Sequence, residues 1–396
     1  MASERPDRVP AATYRLQFNR DFPFERATAL VDYLEALGVS DVYASPVFRA
    51  RPGSAHGYDV LDHSEVNPEL GGEEALRALA AALAARGMGL VLDLVPNHMC
   101  IASPENRGWA DVLENGPSSP FASFFDIDWS PPKEDLRDKV LLPLLGDQYG
   151  RVLENGEIRV GREAGSFVAR YYEHLLPLAP KSWTVILEPV RARFEAERAA
   201  DDPDRVELES ILTAIAHLPA RSEREPSLVQ ERQREKEVIK RRLGDLLERS
   251  TAAREAVDGS LEDLNGRRGD PKSFDRLEAL LADQGYRLSH WRVATDEINY
   301  RRFFDVNDLA AVRVEDPAVF EALHALPLRL AREGVVTGLR IDHVDGLLDP
   351  ADYLRRLPGD LYVVVEKILV GDERLRPDWT TAGTTGYTRV LPNDPD

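Results

Sequence analysis

Five short stretches of the chain are dense in aliphatic and β-branched residues and read as strands of a parallel sheet. They are "ATYRLQF" (12–18), "VSDVYASPVF" (39–48), "GLVLDLVPNH" (89–98), "VTGLRIDHV" (336–344) and "LYVVVEKIL" (361–369). Helical spacing fills the gaps between the early ones. In "FERATALVDYLEALG" (24–38), Ala27, Leu30, Val31, Leu34 and Leu37 fall on one face ahead of Gly38, a helix stop. In "GGEEALRALAAALAARGMG" (71–89), Leu76, Leu79 and Leu83 recur at the same spacing and Gly87 ends the run. Parallel neighbours must be joined by crossovers, so this order predicts β/α units.

A long excursion, roughly 100–335, separates the third strand from the fourth. Residues 100–187 are rich in aromatics and proline, as in "FASFFDIDWSPP". Residues 188–285 are charged and helical. In "QERQREKEVIKRRLGDLLERS" (230–250), Ile239, Leu243, Leu246 and Leu247 share a face, and the charges are expected on a solvated one. "DDPDR" (201–205) and "GRRGDPKSF" (266–274) read as turns. The expected domains are 1–99 with strands one to three, 100–187 and 188–285 as insertion, and 286–396 with strands four and five.

Composition narrows the function. The net charge of -19 repels phosphate backbones and anionic lipid, so neither nucleic acid nor a membrane surface is an expected partner. No run of 18 apolar residues spans a bilayer and the first residues form no apolar signal segment, so a cytoplasmic location is expected. Cys100 is the single cysteine, and no Cys/His spacing suggests a metal site. No glycine-rich phosphate loop is present, which disfavours a sugar-phosphate enzyme, and no cofactor is expected.

The charged residues inside the fourth strand raise the question of chemistry. Side chains alternate, so Gly338, Arg340 and Asp342 share one face, and Leu339 and Ile341 the other. In a closed barrel the first face points inward and ends at the active-site mouth. An acid beside an arginine is expected to stay ionised, which suits a nucleophile. His343 follows at the rim, placed to donate to a sugar hydroxyl. Glu366 emerges from "VVV" at the end of the fifth strand, partly desolvated, which suits a general acid. Taken singly, each acid reads as a structural ion pair. On successive strand ends, the two make the parts of a retaining glycoside site. Asp93, Asn97 and His98 leave the third strand, and His56, Tyr58 and Asp59 lie on the loop after the second, where a tyrosine face suits a pyranose ring.

The ordered set DxxxNH (Asp93, Asn97, His98), GxRxDH (Gly338, Arg340, Asp342, His343) and a strand-borne Glu366 resembles the first three signature regions of the α-amylase superfamily. "YRLQF", "SPVFRARPGSAHGYDV", "FFDIDW", "YYEHLLPLAP" and "EINYRRFFDVNDLAAVRVE" are similar to the maltooligosyltrehalose synthase family within it, from about residue 11 to 387. The resemblance implies an α/β fold of the (β/α)8 TIM-barrel type, with about five barrel strands in this chain and a long helical insertion after strand three. It implies Asp342 as nucleophile and Glu366 as acid/base. Tyr58, Asp59, His98, Arg340, His343 and Lys367 are the implied substrate-binding residues, supported by Asp93 and Asn97. Arg301, Arg302 and Phe303 are read as shaping the pocket for the reducing-end sugar, with the insertion as a lid. His63 stands where relatives often carry an aromatic residue.

The activity implied is that of a (1→4)-α-D-glucan 1-α-D-glucosylmutase, converting the reducing-end α-1,4 bond of a maltooligosaccharide to an α,α-1,1 bond. The implied functional partner is a maltooligosyltrehalose trehalohydrolase. An α-glucan hydrolase, a 4-α-glucanotransferase and a non-catalytic glucan-binding remnant stay open. The chain is expected to be truncated after strand five, without the family's third catalytic aspartate and C-terminal domain. Its last residues depart from the family after Tyr387.

Overall fold

Six parallel strands lie side by side in the order in which the chain makes them: β1 (Thr13–Leu16), β2 (Asp41–Ala44), β3 (Gly89–Leu94), β4 (Gly338–Ile341), β5 (Tyr362–Val365) and β6 (Gly383–Thr384). All-parallel strands in sequential order make a barrel wall. The structure, a computed structural model, describes residues 8–385, so the departure after Tyr387 lies outside the described residues. Five strands stand where the apolar runs place them. The sixth was not foreseen, because two residues, Gly383 and Thr384, carry no apolar pattern to announce it.

All five expected strands are shorter than their apolar runs, and after two of them the chain takes up a new pairing. After β2 the chain re-pairs, with Phe48–Ala50 antiparallel to Val60–Val66. After β3, His98–Cys100 pairs antiparallel with Leu309–Ala311. Pro46 and Pro96 sit at the two breaks. Proline has no N–H for a ladder, so it ends one pairing and frees the next segment to find another.

The outer face of the sheet is packed. Leu90, Leu92, Leu94, Leu339 and Ile341 share one core with Leu76, Leu79 and Leu83 of Gly72–Ala84 and Leu326 and Leu330 of Pro317–Arg332. Each such side chain contributes about 1.5–3 kcal/mol by leaving water. The expected helix over 24–38 is two short ones, Phe24–Thr28 and Val31–Ala36. Phe24, Ala27, Val31 and Leu34 are buried, whereas Leu30 is 38% and Leu37 53% exposed. The break between the two helices resets the phase of the apolar face.

The chain up to Ile101 and from Arg302 onward forms this unit; Ala102–Arg301 forms a second. The expected boundaries at 187/188 and 286 are not boundaries of the fold. Thr184–Glu197 runs across the first. Residues 286–301 stay with the second unit, where Tyr286–His290 pairs in parallel with Val140–Leu145. Five longer helices between Thr184 and Ala282 and an antiparallel sheet of Ile158–Glu163, Ser166–Tyr171 and His174–Pro177 complete it. Asp202 caps Pro203–His217 by accepting from the Asp204 and Arg205 N–H groups, which explains the "DDPDR" turn.

The long helix Pro226–Arg249 buries Ile239, Leu243, Leu246 and Leu247 as its spacing predicts. Its charged side is not simply solvated. Arg232 and Lys236 are buried. Lys236 Nζ lies 2.9 Å from Asp111, 3.1 Å from Glu114 and 2.7 Å from Glu237, and Lys240 reaches Glu114 at 2.8 Å. Acids from a distant helix, Arg107–Asn115, supply the compensation that the local sequence does not show. Removing one partner strands the other in low dielectric. Lys236→Met is therefore expected to destabilise this unit by about 3 kcal/mol. Adding Glu114→Leu to that variant should restore part of the loss, as read by urea denaturation.

Candidate active site

The strand register sets the site. Arg340 of β4 stands opposite Asp93 of β3, one row before the strand ends. Arg340 Nη1 donates to Asp93 Oδ1 at 2.7 Å and to Asp342 Oδ1 at 2.6 Å. Its Nη2 lies 3.0 Å from Glu366 Oε1. One guanidinium thus holds three carboxylates. Asp93 is completely buried, and Arg340 and Asp342 are 6% and 5% exposed. Glu366 is held on its other oxygen by the His343 N–H, 2.9 Å away. His343 adopts a left-handed backbone, φ 48°, at a cost of about 1–2 kcal/mol. The Glu366 hydrogen bond and the short turn Val344–Gly346 hold it there.

The expectation that Asp342 is simply ionised beside Arg340 needs correction. Burial and the charges of Asp93 and Glu366 push its pKa up, to about 7, against the opposing pull of Arg340. One cation does not offset three anions, so the cluster favours keeping a proton. Burial also raises Asp93, although Arg340, Tyr58 and Tyr43 counteract it. Glu366 is expected to be partly desolvated by its apolar run. Glu366 has a quarter of its side chain exposed, more than Asp342.

The aromatic wall forms around this cluster. Tyr58 Oη donates to Asp93 Oδ2 at 2.6 Å, which fixes the ring at the rim. Tyr43 of β2 donates to the same oxygen at 2.7 Å. Phe303 packs on His98 with ring centroids 4.2 Å apart and meets His343 edge-on at 4.9 Å. Burial keeps His98 neutral, with a pKa lowered to about 3. A backbone hydrogen bond to Tyr58 opposes that shift without overcoming it. Gly346 is required by close approach, since a Cβ there would sit 2.6 Å from Asn97 Oδ1 and 2.4 Å from the His343 ring.

Other predicted residues are engaged elsewhere. Asp59 accepts from Ser54 Oγ within its own loop. Lys367 pairs with Asp345 at 3.1 Å and Glu373 at 2.9 Å. Arg302 donates to Asn307 at 2.5 Å and pairs with Asp305 at 3.3 Å, tying down the turn that carries Phe303. Buried His63 hydrogen-bonds the Val95 carbonyl at 2.9 Å and is structural. Sequence reasoning missed Tyr43 and Arg15, whose Nη2 lies 3.3 Å from the Tyr58 hydroxyl. The signal was alternation: Tyr43 interrupts buried Val42 and Ala44, and Arg15 precedes buried Leu16.

A raised carboxyl pKa makes stability depend on pH. Between about pH 4 and 7 the unfolded chain has lost the Asp342 proton that the folded one retains, so this group's contribution falls as pH rises. Asp342→Asn removes that penalty. The variant's stability relative to the parent should rise from pH 5 to pH 8 by on the order of 1–3 kcal/mol. Denaturant melts at the two pH values check this; a difference that falls or stays flat would contradict the assigned cluster.

Comparison with known proteins agrees with the geometry. The model of the alpha amylase catalytic domain matches residues 27–150. The chain is 36% identical over 387 residues to a putative maltooligosyl trehalose synthase of Mycobacterium tuberculosis, covering 95% of this chain and 37% of that one. The solved maltooligosyltrehalose synthase of Arthrobacter ramosus superposes with a TM-score of 0.65 at 36% identity, over 96% of this chain and 37% of that one. A hypothetical maltooligosyl trehalose synthase of Sulfolobus tokodaii gives 0.62 at 31%, covering 96% and 38%. The chain thus spans little more than a third of the length of these relatives. Along almost all of its own length it is similar to maltooligosyl trehalose synthases, and residues 27–150 match the alpha amylase catalytic domain.

Proposed function

We propose that this chain carries the retaining carboxylate pair of a (1→4)-α-D-glucan 1-α-D-glucosylmutase. The observation that supports this most is the bridge of Asp342 and Glu366 by the two Nη atoms of Arg340. Sharing one guanidinium keeps the two carboxyl groups close, as a covalent glycosyl intermediate needs (about 5–5.5 Å), rather than at the about 6.5–9.5 Å spacing that admits a water. No helix among the described residues is long and apolar enough to cross a membrane. A cytoplasmic location belongs to the same proposal.

In this reading a maltooligosaccharide enters with its reducing end beside Phe303, His98 and His343. Glu366 gives a proton to the glycosidic oxygen while Asp342 attacks the anomeric carbon, and Arg340 and Tyr58 hold the sugar. The released glucose stays in place, reorients and offers its anomeric hydroxyl. Glu366, now a base, takes that proton as the hydroxyl displaces Asp342, forming the α,α-1,1 bond. Lys367, Asp59 and Arg302 support loops around the bound chain. A maltooligosyltrehalose trehalohydrolase would consume the product.

The outcome turns on water. Phe303, packed on His98 and edge-on to His343, is the apolar group we assign to excluding it. With maltohexaose, this chain should lower the count of reducing ends at constant product length, and Asp342→Asn should abolish the change. A rise in reducing ends would favour a hydrolase, and redistributed lengths a 4-α-glucanotransferase. Phe303→Ala should increase the share of released glucose several-fold; an unchanged ratio of hydrolysis to isomerisation would remove Phe303 from this role.

A further inference from the structure

The second unit holds a cavity of about 520 Å³ lined by Gln148, Tyr149, Glu278, Tyr286, Arg287 and His290, among others. That lies within the usual range of about 300–1,000 Å³ for small-molecule sites. Tyr286 is 99% buried, yet its hydroxyl has no hydrogen-bond partner among the described residues. A buried donor left unmade is costly in a folded protein and invites an explanation. Nothing in the chemistry described so far uses it.

The lining argues for the class of ligand. Arg287 pairs with Asp135 at 2.7 Å, and Lys139 donates to the Ala282 carbonyl at 2.5 Å. The cations are therefore already engaged, and the cavity offers no free cluster for an anion. What remains are the phenol face of Tyr149, the Tyr286 hydroxyl, an amide, an imidazole and an exposed carboxylate. Aromatic faces beside groups that both donate and accept suit a neutral ring bearing many hydroxyls. Trp291, the next residue after His290, is 52% exposed and extends the aromatic surface. Burial, then the neighbouring Tyr149, keeps the Tyr286 hydroxyl protonated, so it is a donor at all ordinary pH values.

We propose that this cavity is a second, non-catalytic saccharide site, in which the Tyr286 hydroxyl bonds a hydroxyl of a sugar lying against the Tyr149 ring. It goes beyond the catalytic reading and does not depend on it. The test is calorimetric titration of the 396-residue chain with maltotriose, in the Asp342→Asn background to prevent turnover. Two equivalents are expected to bind. Tyr286→Phe should remove one, or weaken it at least tenfold, while the melting temperature holds or rises because an unpartnered hydroxyl has been deleted. Glu278→Ala, an exposed substitution, should weaken the same site. If the catalytic reading alone fails, the count goes from one to none on Tyr286→Phe, and this proposal stands. Unchanged binding by Tyr286→Phe would overturn it. So would a fall in its melting temperature, which would show that the hydroxyl is satisfied within the fold.

Discussion

The structure around the barrel mouth depends on one guanidinium. Arg340 sits on the inner face of β4 and reaches acids from β3, from its own strand end and from the end of β5. A buried arginine is tolerable only with partners, and three buried or half-buried acids are tolerable only around a cation. Each member therefore fixes the others. The register that puts Arg340 opposite Asp93 is part of this bargain, because a slip of one residue would turn every inner side chain toward the apolar helices. The cost is an excess of negative charge. It lifts Asp342 and leaves the resting cluster holding a proton.

That excess suits the proposed chemistry. Retaining catalysis needs one acid charged and its partner protonated, and a cluster with one proton to share provides both forms within a short distance. Tyr43 and Tyr58 press on Asp93 with hydrogen bonds that hold it in place as the hidden third carboxylate. In the proposed reaction Asp93 acts on Asp342 through Arg340 without touching a sugar. Phe303, His98 and His343 form an aromatic cluster beside these carboxylates.

Much of this was legible in the sequence because strand chemistry is local. The period of two placed Arg340 and Asp342 inside and Leu339 and Ile341 outside, and the structure agrees. DxxxNH and GxRxDH marked strand ends for the same reason. What was not legible depends on distant partners. The protonation of Asp342 is set by Asp93, hundreds of positions away, and by its degree of burial. The resemblance implied Asp59, Lys367 and Arg302 as sugar binders, yet each has found an ionic or hydrogen-bonding partner in its own loop or a neighbouring one. Lys236 on the long helix shows the same limit: a charge run looks solvated until Asp111 and Glu114 arrive from elsewhere. The sixth strand was invisible for a simpler reason, since two residues without apolar side chains leave no period to detect.

The most direct measurement of the central claim, that Arg340 presents Asp342 as the nucleophile, is covalent trapping. The chain would be incubated with 5-fluoro-α-glucosyl fluoride, digested and read by mass spectrometry. The account predicts a glycosyl adduct on Asp342, in the peptide containing Gly338–Asp345, and its loss in Arg340→Lys, which cannot bridge with a planar fork. An adduct on Glu366 or Asp93, or no adduct in the parent chain, would contradict it.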